Sequence, residues 1–323
     1  MDKNELNICQ VSLNRDISLI EENLTNFKKI YKKDLKLFVV CPETQINEFK
    51  KRLNFNEVEI INENELISFN DFKKIFNDHK HLIVYEDEFS KRLSWYYQQV
   101  LKITFSLNFI SKNKKNLIIW DADTVILDKI NFFKNNLSIK YGNFFEFHKA
   151  YYLTNEQILK KIPSYFISFL NQFIAISEIE CSYFATNNLN SKLPDEELGK
   201  KISEMIIKNI FLKHKNYNGS MFSEYELIGH SNYTLKDNRQ RPLLYLRFGL
   251  DGKLTRMQKR ISILLGYKHV TYEHSHPNIK SLGMLSRKQS WSKFLIMILK
   301  NFFKFYLRYL RHIILYRLDK MNR

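Results

Sequence analysis

The chain has 323 residues, which is long enough to bury one large domain or two ordinary ones. Its 44% hydrophobic and 26% charged residues exclude a disordered chain, and 8 Gly with 5 Pro exclude a collagen-like or low-complexity chain. A net charge of +17 is typical of proteins that bind nucleic acid, but it also suits a protein that binds an anionic membrane surface.

The first third of the chain alternates short apolar runs with segments of helical periodicity. We predict strands at Leu6–Leu13, Leu35–Val40, Val58–Ile61, His81–Glu86 and Asn116–Trp120, and helices at Ile17–Tyr31, Phe69–His79 and Ser94–Ile110. This alternation predicts an α/β fold with a mostly parallel, Rossmann-type sheet flanked by helices, in which ligands bind at the carboxyl ends of the strands. Beyond residue 130 the pattern is more helical, and we expect that half to complete a substrate site.

Two acids follow the last of these strands, in the segment NLIIWDADTVIL (Asn116–Leu127). Asp121 and Asp123 stand one residue apart where the chain leaves the core, so both can reach one divalent cation. Mg²⁺ or Mn²⁺ takes one or two carboxylates together with substrate phosphates, and it neutralises charge on a leaving diphosphate. The alternative is a pair of turn-forming aspartates. The metal hypothesis, and any assignment of this chain as an enzyme that rests on it, requires both carboxylates to face a cleft without being bound in ion pairs with Lys or Arg.

The predicted helix Ser94–Ile110 carries an unusual polar side. Trp95, Gln98, Gln99 and Lys102 share that side at i, i+3, i+4 and i+7, which makes a poor core face and a plausible ligand wall. Lys102 would meet a diphosphate, and Gln98 or Gln99 would donate to sugar or phosphate oxygens. The alternative is the edge of an amphipathic helix, with Trp95 half-buried.

A third candidate segment is GSMFSEYELIG (Gly219–Gly229). Ser223 and Glu226 have the spacing of a capping box, which gives Glu226 a structural explanation. Glu224, at the first position of the same helix, is not required by the capping box. Because a helix N-terminus lowers the pKa of a carboxyl group, Glu224 is our first choice for a general base, with Glu226 second.

Taken together, three segments resemble one bacterial family of glycosyltransferases with the GT-A fold. They are Trp95–Lys102 (WYYQQVLK), Asp121–Thr124 (DADT) and Phe222–Leu227 (FSEYEL), and the similarity spans about residues 6 to 280. The family comes from capsule and lipopolysaccharide gene clusters and was long described only as a domain of unknown function. The resemblance implies transfer of a hexose or related sugar from a nucleotide-sugar donor to a surface glycan, with Mn²⁺ or Mg²⁺ as cofactor. Ile228 stands where an aromatic residue is expected before Gly229.

The same resemblance implies further site residues. In GT-A enzymes the loop after the first strand meets the nucleotide, which here points to Asn14 and Asp16 for donor binding. Asp16 would alternatively cap the helix that follows it. A late histidine adds a metal ligand in some GT-A families, and His274 is the matching candidate, although exposed histidines in polar loops are common.

The positive charge is concentrated at the C-terminal end. Residues 287–323 hold ten Lys or Arg against one acid, which is more than half of the net charge. Lys300, Lys304, Arg308 and Arg311 form one helical stripe, and large apolar residues occupy much of the remaining circumference. We therefore expect residues 291–318 to bind an anionic membrane surface. The alternative is a helix packed on the core. Nucleic acid is not expected, because stacking modules place aromatic residues on sheets or in grooves.

These features predict a GT-A-like domain at residues 1–285 and a basic amphipathic tail at 286–323. The domain would have a nucleotide-sugar half (1–130) and a helical acceptor half (131–285). The three cysteines form no Cys-x-x-Cys pair, and the charged start MDKNE leads into no signal-peptide core. Both observations favour a cytoplasmic protein, and the basic tail would hold it peripherally on the inner face of the plasma membrane.

Two rival functions fit parts of the same sequence. A haloacid-dehalogenase-type phosphohydrolase would use Asp121 as nucleophile and Asp123 as acid, but its motif normally opens its domain. Such an enzyme also needs a later strand ending in paired acids, and Asp195–Glu197 has no apolar strand before it. The second rival is a non-enzymatic adaptor docked on a membrane through its tail.

Overall fold

The computed structural model describes residues 5–82, 89–144, 146, 148–160, 168–189, 193–214, 219–231, 240–249, 253–273 and 291–321. The helices are α1 (Ile17–Tyr31), α2 (Ile46–Arg52), α3 (Phe69–His79), α4 (Leu93–Asn113), α5 (Lys149–Leu159), α6 (Glu178–Phe184), α7 (Leu198–Lys213), α8 (Glu224–Ser231), α9 (Arg256–Leu264) and α10 (Trp291–Met321). The strands are β1 (Leu6–Val11), β2 (Leu35–Cys41), β3 (Val58–Asn62), β4 (Leu117–Trp120), β5 (Thr124–Ile126), β6 (Phe133–Lys134), β7 (Leu137–Ser138), β8 (Tyr141–Gly142), β9 (Phe173–Ile176), β10 (Arg241–Pro242), β11 (Leu246–Gly249) and β12 (His269–Glu273).

The central sheet has five strands in the order β3-β2-β1-β4-β9. The first four are parallel, and β9 runs antiparallel to β4. The chain adds β2 and β3 on one side of β1 and then crosses to the other side to add β4. In open α/β sheets this reversal of strand order leaves a crevice at the carboxyl ends of the strands, where ligands bind. The predicted mainly parallel α/β fold is confirmed.

Side chains of each central strand alternate between two cores, because successive residues of a strand face opposite sides of a sheet. Ile8 and Trp120 belong to the core that α1 and α2 cover. Cys9 and Ile119 belong to the core formed with α3, α4, α7 and α8. This alternation also sets the side of the residue after β4, so that Asp121 leaves the sheet on the α4 side.

A second, three-stranded sheet has the order β11-β12-β5, and the C-terminal helix packs against it. Phe294, Ile298 and Phe305 of α10 are buried in a third core with Tyr267, whose hydroxyl donates to the carbonyl of Ile298 at 2.8 Å. The basic stripe of α10 and a neighbouring apolar strip remain exposed. The expected amphipathic helix is thus present, and one of its faces is covered by the protein itself.

One predicted strand is wrong where the structure describes it. His81 and Leu82 lie in a short 3-10 helix, Lys80–Leu82, and the remainder of the predicted His81–Glu86 strand lies outside the described residues. A short apolar run does not distinguish a strand from a buried turn or helix. None of the helices in the described ranges is long and apolar enough to cross a membrane.

Candidate functional site

The carboxyl end of β4 turns sharply through the two acids of the sequence motif. The amide of Thr124 donates to the carbonyl of Asp121 at 3.0 Å, and the indole of Trp120 donates to the carbonyl of Thr124 at 2.7 Å. Asp121 and Asp123 are both half-buried, and Asp123 accepts from the hydroxyl of Thr124 at 3.3 Å. The turn therefore holds both carboxylates at the sheet edge where the strand order reverses.

Residues far apart in the chain meet at this turn, and we call Lys102, Asp121, Glu224 and Tyr225 the Lys102 cluster. The ammonium of Lys102 lies 2.5 Å from Asp121 Oδ1 and 2.6 Å from Glu224 Oε1, and it donates to the Tyr225 hydroxyl at 3.2 Å. Tyr225 in turn donates to Asp121 Oδ1 at 2.5 Å. Helix α4 brings Lys102 to the cluster, and the first turn of α8 brings both Glu224 and Tyr225.

Burial and charge perturb the ionisable groups that surround Lys102. Burial lowers the pKa of Lys102, but Asp121 and Glu224 outweigh it, so the lysine stays charged with a raised pKa. Burial raises the pKa of Glu224 more than Lys102 lowers it. The pKa of Tyr225 lies well above its usual range because of burial and the charges of Asp121 and Glu224. The cluster is therefore a nearly dry charged group, in which Asp121, with 20% of its side chain exposed, reaches solvent more than Lys102 or Glu224.

Lys102 has no N–H left for a phosphate in this arrangement. Its ammonium has three hydrogen-bond donors, and Asp121, Glu224 and Tyr225 accept one each. Its side chain is only 4% exposed. The predicted contact of Lys102 with a donor diphosphate therefore requires one of these bonds to break, and in the structure the residue positions two carboxylates.

The predicted capping box of α8 is wrong. Ser223 Oγ has no hydrogen-bond partner among the described residues, and Glu226 Oε1 accepts from Ser168 at 2.6 Å instead of reaching back to the helix start. The amide of Glu224 donates to Gln99 Oε1 of α4 at 3.0 Å. A side chain from another helix thus caps α8, because the helix start is buried against α4. The backbone amide at the helix start lowers the pKa of Glu224 as expected, but burial outweighs it, so the net pKa is raised rather than lowered.

The other polar residues of α4 bind the protein itself. Gln99 also donates to the carbonyl of Trp95 at 3.4 Å, and Gln98 donates to the carbonyl of Val11 at 3.2 Å. Trp95 is half-buried against the core, with its ring 5.0 Å from that of Tyr96. This side of α4 therefore fastens the helix to β1 and α8, and its role toward a donor stays a prediction.

Three further predicted site residues, Asn14, Asp16 and Glu226, make contacts with residues outside the Lys102 cluster. Asn14 follows β1 and is exposed; it donates to Glu48 of α2 at 2.9 Å. Asp16 is buried and makes no side-chain cap bond to α1, so the capping alternative is wrong. Glu226 is fully buried with Ser168 on one side and the His230 ring 3.3 Å away on the other. His274 lies outside the described residues.

The two acids of the turn could hold a metal ion together with a substrate that supplies further ligands. They are too few to hold a metal ion by themselves. Among the described residues there is no group of three or more His, Cys, Asp or Glu side chains that could hold a metal ion. Asp121 is bound in an ion pair with Lys102 and also accepts from Tyr225, both at Oδ1, so Asp121 does not meet the requirement that neither acid be ion-paired. Asp121 Oδ2 accepts no hydrogen bond from the described residues, so it is the oxygen left for a cation shared with Asp123. One or two carboxylates completed by phosphate oxygens is a usual arrangement for Mg²⁺.

Sequence reasoning overlooked two residues that shape the site. Tyr225 was passed over because it lies next to the stronger candidate Glu224, although the first turn of a buried helix projects both side chains toward α4. Gln10 is fully buried within β1 and its amide lies 3.5 Å from the carbonyl of Asp121. A glutamine inside an otherwise apolar strand was the available signal, because buried amides need hydrogen-bond partners.

Comparisons with known proteins found similar solved structures but no similar sequence. The sequence matches no protein-family model and no curated protein. Among solved structures, mouse xyloside xylosyltransferase 1 in its apo form is similar with a TM-score of 0.42 and 10% identity, over 85% of this chain and 98% of that chain. An active-site mutant of LgtC is similar with a TM-score of 0.44 and 10% identity, over 90% of this chain and 95% of that chain. Likeness this low does not carry an activity from either protein to this chain.

Proposed function

We propose that this chain is a nucleotide-sugar-dependent glycosyltransferase of the GT-A type, whose site is the β4 turn with the Lys102 cluster. The observation that carries the proposal is the meeting of acids from two distant segments at the edge where the strand order reverses. Open α/β sheets commonly bind nucleotides at this position, beyond the carboxyl ends of the strands. The sequence resemblance described above contributes the finer expectation of a hexose or related sugar and a capsule or lipopolysaccharide acceptor.

Each acid has a role that fits its position. Asp123, with Asp121 Oδ2, would hold Mn²⁺ or Mg²⁺ against the donor diphosphate, and the cation would neutralise charge on the leaving nucleotide. Glu224 Oε1 accepts from the ammonium of Lys102 at 2.6 Å. Glu224 would take a proton from an acceptor hydroxyl in an inverting reaction, for which the acceptor must enter the space where this side chain is now only 3% exposed. Lys102 and Tyr225 would keep Asp121 and Glu224 in fixed positions.

A panel of nucleotide sugars with Mn²⁺ tests the proposal by thermal shift and by transfer assay. At least one nucleotide should raise the Tm of the full chain, because a ligand that binds only the native state stabilises it. Asp123→Asn should abolish this rise, whereas Asp128→Asn, which removes a nearby acid paired with Lys268, should keep it. Glu224→Gln should bind the donor but transfer sugar at least about 100-fold more slowly. A Tm that no nucleotide changes would refute the proposal.

The phosphohydrolase alternative has less support from the fold. The acid-bearing strand β4 is the fourth strand of its sheet, and its outer neighbour β9 runs antiparallel to it. Glu178, just after β9, therefore lies at the opposite sheet edge from Asp121, where it cannot share a cation with it. Turnover of a chromogenic phosphate ester, lost in Asp121→Asn, would reverse this preference.

We also propose that the chain works on the cytoplasmic face of the plasma membrane, with α10 lying on anionic lipid. All four basic residues of the predicted stripe, Lys300, Lys304, Arg308 and Arg311, are exposed. Beside them an exposed apolar strip continues along the helix: Ile296, Leu299, Phe303, Leu307, Leu310 and Ile314. A basic stripe next to an apolar strip matches the boundary between lipid headgroups and acyl chains.

Flotation with vesicles tests the membrane proposal. Removing the tail would uncover the third core, so paired substitutions are the cleaner perturbation. Phe303 and Leu307 are 62% and 68% exposed, and Phe303→Ser with Leu307→Ser should abolish flotation with anionic vesicles without lowering the Tm. Leu212→Ser on α7 removes an exposed apolar residue elsewhere and should leave flotation unchanged. Equal flotation of the natural chain and both variants would exclude α10 as the contact.

A further inference from the structure

Lys102 occupies the place that a cation shared by Asp121 and Glu224 would take. Both carboxylates lie within 2.6 Å of one nitrogen atom, and that nitrogen is buried with a charge held by both. Its third contact, with Tyr225, places the ammonium 4.9 Å from the centre of the tyrosine ring, which adds a cation–π attraction. The ammonium of Lys102 therefore fills the space between the two carboxylates and binds the oxygen of each that faces it.

We infer that Lys102 is a resident counter-cation that keeps metal out of the space between Asp121 and Glu224 and thereby sets the metal affinity of the site. The inference rests on the proposed metal-dependent function and goes further by assigning what limits metal binding. With the inner space filled, a metal reaches the outer oxygens near Asp123 only. There it needs the phosphate oxygens of a donor to complete its ligands, so metal and nucleotide bind together and metal alone binds weakly.

Removing the lysine charge should turn the inner space into a metal site. In Lys102→Met, Asp121 and Glu224 would face each other without a counter-ion, and paired carboxylates of this kind bind Mn²⁺. We expect Mn²⁺ affinity, measured on the full chain without nucleotide by electron paramagnetic resonance, to rise at least about tenfold over the natural protein. The Tm of the variant should also rise on addition of Mn²⁺, whereas the Tm of the natural protein should not.

Two further variants separate this effect from general loss of a buried charge. Lys140→Met removes another buried lysine, which lies 3.5 Å from the single carboxylate of Glu180, and it should gain no Mn²⁺ affinity. Lys102→Met combined with Glu224→Gln removes one ammonium and one carboxylate, so the net charge of the cluster is that of the natural protein and the variant should fold even where the single variant does not. It should still bind Mn²⁺ more tightly than the natural protein, because the repelling ammonium beside Asp121 is gone.

Mn²⁺ affinity equal to or below that of the natural protein in the folded Lys102 variants would overturn the inference. These measurements use metal alone, so they remain decisive even where no nucleotide sugar binds. A protein that fails the nucleotide panel but gains Mn²⁺ affinity on loss of Lys102 would contradict the proposed function and support the counter-cation. The reverse result would support the function and remove this role from Lys102.

Discussion

Acid should destabilise this protein in part through the buried histidine His269. His269 of β12 is fully buried, with its ring stacked 4.9 Å from Tyr245 and the rings of Trp120 and Phe173 within 5.7 Å. Burial lowers the pKa of His269 from 6.5 to about 3. The unfolded chain therefore takes up a proton near pH 6.5 that the folded chain refuses until about pH 3. Stability falls as the pH drops through this interval, by about 2 kcal/mol at pH 5.

His269→Phe keeps an aromatic ring in this position and removes the titrating group. Urea unfolding at pH 8 and pH 5 gives the loss of stability for each protein, and we expect the variant to lose about 2 kcal/mol less than the natural chain. The side chain of His81 is exposed, so His81→Gln should show the full loss. An identical pH dependence in the natural chain and in His269→Phe would show that this histidine accepts its proton inside the fold.

Two further predictions concern packing and pairing elsewhere in the domain. Burial raises the pKa of Glu22, but ion pairs with Lys259 and a second lysine outweigh it and lower the pKa. Glu22→Gln should therefore lower the free energy of unfolding by about 1 kcal/mol at pH 7. In urea titrations this difference between the two proteins should vanish as the pH falls from 4.5 through the lowered pKa of Glu22. A difference that stays constant with pH would contradict this. Gly229→Ala would place a methyl group 2.2 Å from the Phe169 ring, so it should cost about 1–3 kcal/mol, partly recovered with Phe169→Leu. A Gly229→Ala protein as stable as the natural one in the same urea titrations would mean that the ring moves freely.

The strands and helices of the first third could be predicted because their signals are local. The alternation of apolar residues in β1 and β2 and the helical spacing in α1 and α3 survive unchanged in the fold, with bounds that agree within two residues. The strand predicted at His81 failed because a short apolar run carries no periodicity long enough to separate strand from helix. The position of Asp121 and Asp123 at a strand end was likewise visible in the sequence.

The partners of those acids could not be predicted, because they depend on which helices cross the strand end. Lys102 was predicted to face a diphosphate and Glu224 to be a simple first-turn base, and each would have been reasonable for an isolated helix. In the fold α4 and α8 meet above β4, so the lysine forms ion pairs with both Asp121 and Glu224 in a largely buried space. The cap of α8 changed for the same reason, since Gln99 of α4 accepts from the amide of Glu224 while Ser223 Oγ makes no bond to the helix.

The sequence alone determined, through its hydrophobic periodicity, the strands of the parallel sheet and the helices that flank it. It also placed two acids at the end of β4. It also determined that the last helix would be basic on one side and apolar on the others. Only the tertiary structure decided that one apolar side of this helix is covered by the protein, and that Asp121 forms an ion pair with Lys102. Local periodicity is encoded within a few residues, whereas a buried charge acquires its partner only when distant elements pack and exclude water.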